Sequence, residues 1–148
     1  MALREARRED VRRIVEMLAD DEVARGRENV TGDMTPYHAA FDAIAADPNN
    51  TLYVWDEGDS VMGCLQLTFL PGMSYQGGWI AQFEGVRVDR SLRGLGIGEK
   101  MMAAIVEKSR ARGCTQMQLT TNKQRLDAHR FYERLGFTAS HEGMKLGL

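Results

Sequence analysis

Cysteine is scarce in this chain: Cys64 and Cys114 are the only two among 148 residues, and each sits inside an apolar, strand-like run. Two thiols outside any C-x-x-C pattern make neither a disulfide framework nor a thiolate metal cage. Both are read as reduced core residues. Histidine is nearly as rare, and His38, His129 and His141 have no cysteine or carboxylate at ligand spacing, which argues against zinc. No apolar run reaches the roughly 20 residues that cross a bilayer, and no charged-then-apolar leader opens the chain. The expectation is a cytoplasmic protein without a membrane partner. An excess of one charge is missing as well. The formal net charge of −2 lacks the basic surplus of a general nucleic-acid binder. Repeats, linkers and low-complexity stretches are absent too, so residues 1–148 are expected to form one domain.

What is present is an alternation of strand and helix patterns. A short strand around Ala2 to Ala6 precedes a helix whose Val11, Ile14, Val15 and Leu18 share one face. The polar segment from Glu22 to Thr35 contains Gly26 and Gly32 and reads as a loop. Thr35-Pro36 then resembles an N-cap followed by proline at the first helical position, with Tyr37, Ala40, Phe41 and Ile44 as the apolar stripe. Thr51 to Trp55 and Ser60 to Leu70 flank Glu57-Gly58-Asp59, a hairpin signal. Trp79 to Asp89 is a further strand. A helix with Ile97, Met101, Ile105 and Val106 inward ends at Gly113. Cys114 to Thr121 alternates as a strand, a helix covers Leu126 to Leu135, and Phe137 to Leu148 contains two short strand-like pieces around Glu142-Gly143. The order β-α-α-β-β-β-α-β-α-β-β predicts an α/β (α+β) protein, a mixed sheet covered by helices.

Between the strand ending at Asp89 and the next helix lies Arg93-Gly94-Leu95-Gly96-Ile97-Gly98. Three glycines at alternate positions leave backbone N–H groups uncovered at a helix start, where the macrodipole adds positive potential. The design suits a phosphate or pyrophosphate. A P-loop would place Lys-Ser/Thr after the last glycine, where Glu99-Lys100 stands, and the spacing is not that of a dinucleotide fingerprint. A plain flexible turn is the duller account, and three costly glycines before a well-formed helix fit it poorly.

Arg93-x-x-Gly96-x-Gly98 resembles the Arg/Gln-x-x-Gly-x-Gly/Ala signature of the GNAT superfamily of N-acetyltransferases, and Ala128-x-x-x-Tyr132-x-x-x-Gly136-Phe137 resembles that family's second signature. The element order matches over nearly the whole chain. The resemblance implies acetyl-CoA as co-substrate, no metal, and a sheet splayed at the cofactor cleft. It assigns the donor's pyrophosphate to the amides of Arg93, Gly94, Leu95, Gly96, Ile97 and Gly98. It assigns the pantetheine arm to the backbone of Val86, Arg87 and Val88, which would bind it as an added strand.

The strand before the loop carries its own signal. Strict alternation would put Glu84, Val86 and Val88 on one face. A bulge near Gly85 would instead group Gln82, Glu84 and Arg87 on a polar face and Phe83, Val86 and Val88 on an apolar one. Glu84 stands where several GNAT enzymes place a catalytic carboxylate, expected at the bottom of a partly apolar cleft and able to take the amine proton, directly or through water. Its alternative role is to pair with Arg87 or cap the bulge. Tyr132 matches the tyrosine near the thioester sulfur, with core packing beside Phe131 as the alternative. One departure concerns the asparagine common before the second signature, whose place Arg125 takes. Either Arg125 meets a CoA phosphate or Asn122 contacts the pantetheine from a displaced position. Lys123, Arg125, His129 and Arg130 form a basic cluster that suits CoA phosphates and equally a solvated helix face.

The function expected is transfer of acetyl from acetyl-CoA to a primary amine by direct attack in a ternary complex. A non-catalytic acyl-CoA-binding regulator on the same scaffold is the alternative, and a nucleotide-phosphate enzyme a third reading. The acceptor site is expected from Glu22 to Tyr37 and Pro71 to Gly78, where Glu22, Glu28 and Asp33 could attract a cationic amine. No nucleic-acid partner is expected, and a homodimer is compatible with the family.

Overall fold

A computed structural model describes residues 2–148. The chain divides into two compact units, Met1–Gln118 and Leu119–Leu148. The first unit holds a five-stranded sheet of order β1-β2-β3-β4-β5, made of β1 (Ala2–Glu5), β2 (Asn50–Asp56), β3 (Val61–Leu70), β4 (Ile80–Val88) and β5 (Gln116–Gln118). The first three ladders are antiparallel and β4 pairs with β5 in parallel, giving the expected mixed sheet. Helices α1 (Val11–Ala19), α2 (Thr35–Ala46) and α4 (Ile97–Arg112) complete this unit, along with a single short turn, α3 (Ser74–Gly77). The second unit contains α5 (Leu126–Arg134). Among the described residues no helix is long and apolar enough to cross a membrane.

Cross-strand partners share a face, so the register sorts the core. Val54 lies opposite Cys64, and both pack with Ile14 and Met17 of α1. Leu67 lies opposite Phe83 on the other face, and the fully buried set there includes Leu65 and, from α4, Met101 and Ile105. A Cβ at Gly63 would come within 3.0 Å of the Met101 sulfur, so glycine is what lets α4 lie close against β3.

Several boundaries differ from the sequence expectation. Met17 joins the buried residues of α1 while Leu18, one residue before the helix ends at Ala19, stays half-buried. Thr35 is the first residue of α2 rather than its cap, and the Asp33 carboxylate accepts from its N–H at 2.9 Å. The strand expected over Cys114 to Thr121 is a ladder of three residues. The two strand-like pieces between Phe137 and Leu148 form no strand among the described residues, since alternation without a ladder partner does not make one.

One polar cluster holds the start of the chain in place. Arg4 donates from Nε to Asp56 at 2.8 Å and from Nη1 and Nη2 to the buried Asp10 at 2.8 and 3.2 Å, and the Arg7 N–H adds a bond to Asp10 at 2.7 Å. Burial pushes the Asp10 carboxyl up, but the Arg4 guanidinium and the Arg7 amide outweigh it and hold it below the usual carboxylate range. A depressed folded value means the stabilisation is complete above the unfolded value of about 3.9 and is lost as pH falls through the folded one. Arg4→Met is expected to cost about 2–3 kcal/mol in urea unfolding at neutral pH, because it strands a buried carboxylate. The variant should also lose much of the wild-type decline in stability below about pH 4.

Candidate active site

The ladder between β3 and β4 changes register at one point. Cys64 pairs with Arg87 and Gln66 with Glu84, so the single residue Leu65 faces two, Gly85 and Val86. Gly85 sits at φ +64°, a left-handed conformation that a side chain would strain, and its carbonyl accepts from the Cys64 thiol at 3.5 Å. The bulge is where the polar pattern requires it. Gln82 and Glu84 face Thr68 and Gln66, and Arg87 returns to the same side beside Cys64.

Glu84 itself is exposed, in register with Gln66 just before the bulge. Arg87, the alternative partner of Glu84, pairs with Asp21 at 3.2 Å, with both side chains largely buried, and donates to the Val86 carbonyl at 2.9 Å. This pair is one of three that tie α1 and the two residues after it to β4 and the turn that follows. Arg13 meets Asp89 at 2.7 Å and Arg90 clasps both oxygens of Asp20 at 2.9 Å. Sequence reading missed all three, since the partners lie 66 to 76 positions apart and no local signal links them.

Beyond the bulge, β4 has an open edge. Its parallel ladder ends at Gln82 with Gln118, while β4 runs on to Val88 paired only with β3 among the described residues. The half-buried Val86, Arg87 and Val88 lie on this stretch. Such an edge accepts an extended chain as a further strand would.

The loop after β4 is anchored at Asp89, whose carboxylate accepts from the Ser91 hydroxyl at 2.7 Å and N–H at 2.9 Å and meets Arg13. The Ser91 bonds first, then Arg13, hold it well below the usual range. A 3-10 turn over Arg90–Leu92 follows, and Arg93 donates to the Val88 carbonyl at 3.2 Å. Gly94 and Gly96 then adopt φ +82° and +81°, and Gly96 caps α4. Leu95 is exposed between them, and its N–H is taken up by Leu92. The first intrahelical bond runs from Lys100 to the Gly96 carbonyl, so helix geometry leaves the N–H groups of Ile97, Gly98 and Glu99 without intrahelical acceptors. Gly98 lies within the helix at ordinary φ, where glycine costs about 1 kcal/mol relative to alanine. Open access to its N–H is a reason for it that backbone strain does not supply.

In the second unit, Tyr132 is half-buried on α5, its ring edge-on to Phe131 at 5.1 Å and to Phe137 at 5.8 Å. The Asn122 side chain accepts from the Gln124 N–H at 2.9 Å, and its carbonyl accepts from the N–H of Arg125, which caps α5. The expected basic cluster is partly neutralised within this unit: Lys123 pairs with Glu142 at 3.4 Å and Arg130 with Asp127. The structure thus gathers Glu84, Val86 to Val88 and Arg93 to Gly98 along one continuous stretch of the first unit. Asn122, Arg125 and Tyr132 lie at the start and along α5 in the second.

Neither thiol is set up as a nucleophile. Burial pushes Cys64 up to about 12 and raises the half-buried Cys114 as well. Among the described residues no group of His, Cys, Asp and Glu could hold a metal ion.

The acetyltransferase (GNAT) family model matches residues 12–137. An aminoalkylphosphonate N-acetyltransferase from Salmonella typhimurium is 31% identical over 109 residues, covering 74% of this chain and 70% of that protein. A glucosamine 6-phosphate N-acetyltransferase from Trypanosoma brucei brucei is 34% identical over 88 residues, 60% of this chain and 58% of that one. The crystal structure of a transcriptional regulator from Bacillus halodurans C-125 superposes with a TM-score of 0.94 at 46% identity, over 99% of both chains. With the family model spanning most of its length, both signatures in place and the sheet opening beside the glycine loop, the chain belongs to the acetyltransferase (GNAT) family of acetyl-CoA-dependent N-acetyltransferases.

Proposed function

We propose that this chain, acting as one domain in the cytoplasm, moves the acetyl group of acetyl-CoA to a primary amine by direct attack in a ternary complex. The observation that carries the reading is the pairing of an open β4 edge past Gln82 with an unobstructed helix start at Gly96 to Gly98. An edge suits the amide-bearing pantetheine and the helix start suits a pyrophosphate, so the residues present fit the donor. Acetyl-CoA supplies an activated thioester. The backbone of Val86 to Val88 orients its arm, and main-chain N–H groups polarise the carbonyl. Glu84, through water, accepts the proton that the amine must lose. Tyr132 hydrogen-bonds or protonates the departing thiolate. Arg125 or Asn122 takes the place of the family's CoA-contacting asparagine.

Two of the three curated relatives are named for amines that carry a phosphorus oxyanion, and the third, from Pseudomonas phage PaMx11, is named for 5-NmdU. Phosphorylated amines therefore join polyamines, aminoglycosides, amino acids and peptide amines in the test. The expected outcome is acetyl-CoA-dependent thiol release with at least one class above the protein-free rate. A second reading, an acyl-CoA-binding regulator without turnover, draws on the description of the 46%-identical Bacillus relative as a transcriptional regulator. CoA binding with no thiol release across the whole set would favour it. Tyr132→Phe is expected to lower kcat about tenfold while leaving acetyl-CoA affinity within about twofold. Unchanged kcat would confine Tyr132 to packing with Phe131 and Phe137.

A further inference from the structure

A cavity of about 170 Å³, open to solvent, lies at the C-terminal end of α1. Its charged lining comprises Asp20, Asp21, Glu22, Arg25 and Arg90. That space suits a small polar molecule. Most of its charges are already matched. Arg90 grips Asp20 through two bonds of 2.9 Å, and Arg87 takes Asp21 at 3.2 Å. Glu22 adds only through-space attraction to Arg90, and the Arg25 guanidinium closes no ion pair among the described residues. One carboxylate and one guanidinium, three positions apart on a turn, are left to face a ligand. Of the other acids expected to attract a cation, Glu28 is engaged by Arg27 and the Tyr37 hydroxyl, and Asp33 by the Thr35 N–H.

The cavity also sits beside the reaction's machinery. A Cβ at Gly85 would touch Leu18 at 3.5 Å, so the last turn of α1 leans on the bulge next to Glu84. The ion pairs to Arg87 and Arg90 fasten the cavity's Asp20 and Asp21 to β4 and to the turn after it, where Arg90 lies three residues before Arg93.

We propose that this cavity is the acceptor subsite, and that it selects small primary amines bearing an anionic group, with Arg25 holding the anion and Glu22 attracting the ammonium. The assignment rests on the acetyl-transfer reading above and specifies its substrate class. A planar guanidinium binds phosphate, phosphonate or carboxylate through paired N–H donors, and it costs nothing to strip from a partner it does not have. Polyamines are disfavoured, because their second cation would meet Arg25.

The test uses O-phosphoethanolamine and ethanolamine, which share an amine and differ by a phosphate, with the full chain and acetyl-CoA. The wild type is expected to favour phosphoethanolamine in kcat/KM by about tenfold or more. Arg25→Ala should erase that preference through KM, with kcat held within about twofold, and Arg25→Lys should restore part of it. Glu22→Gln should raise KM for both amines. Acetyl-CoA affinity should be unchanged in all three variants. Equal kcat/KM for the two amines in the wild type overturns the assignment, as does a preference that survives Arg25→Ala. A loss of acetyl-CoA affinity in Arg25→Ala also overturns it, by placing the guanidinium on the donor's phosphates. Calorimetric titration of phosphoethanolamine into the CoA-saturated protein separates the two levels of inference. Binding that Arg25→Ala abolishes supports the subsite even without turnover, and no binding removes it. Thiol release absent for every amine overturns the transfer reading alone.

Discussion

Glu84→Gln is expected to lower kcat by about 10²-fold or more, within the usual range for removing a general base, and to leave acetyl-CoA affinity within about twofold. Glutamine has the shape and hydrogen-bonding reach of glutamate and lacks only its basicity. The structural cost of the exchange is small. Glu84 is exposed and pairs in register with Gln66, and the arginine most able to hold it is engaged by Asp21. A drop in rate therefore reports chemistry and not a collapsed strand. The pH dependence sharpens the test. An alkylammonium loses its proton to solvent as pH nears its own pKa of about 10, so the defect should shrink as pH rises. A defect constant with pH would assign Glu84 to positioning, and wild-type turnover in the variant would remove it from the mechanism.

That Glu84 could be singled out at all reflects how much local pattern this chain carries. Polar and apolar residues from Gln82 to Val88 make sense on a strand only with one extra residue near Gly85, and that is where two residues face Leu65. The start and end of α4 were equally legible, because Gly96 and Gly113 both occupy the left-handed region that favours glycine. Signals of this kind are written in neighbouring residues. What depends on distant partners was not legible. β5 pairs over three residues because a parallel ladder needs β4 alongside, and β4 bends at its bulge. The alternating tail after Phe137 has no ladder among the described residues. The exposed setting of Glu84 and the Asp21–Arg87 pair follow from where α1 ends against the sheet, which no short window encodes. The basic run around α5 was ambiguous for the same reason, and Glu142 and Asp127 decide it for Lys123 and Arg130.

The donor loop offers a prediction with its own control. Gly94 and Gly96 have matching backbones, φ +82° and +81°, and a Cβ built at either meets nothing within 4 Å. Valine at either position should therefore carry a similar penalty, about 1–2 kcal/mol for forcing a side chain into the left-handed region, and should clash with nothing in the fold. If the glycines serve only a flexible turn, the two variants should behave alike in every assay. They differ in what lies next to them. Gly96 caps α4 and directly precedes the open N–H groups of Ile97 and Gly98, whereas Gly94 precedes Leu95, whose N–H is spent on Leu92. A branched side chain at the cap screens the helix start from a pyrophosphate. Losing one or two charge-assisted hydrogen bonds, about 1.5–3 kcal/mol each, corresponds to roughly 10²-fold in affinity. Gly96→Val is accordingly expected to weaken acetyl-CoA binding about 10²-fold, and Gly94→Val by less than about tenfold, with thermal midpoints lowered equally in both. Equal losses of affinity at the two positions would mean that the helix start does not hold the donor's phosphates.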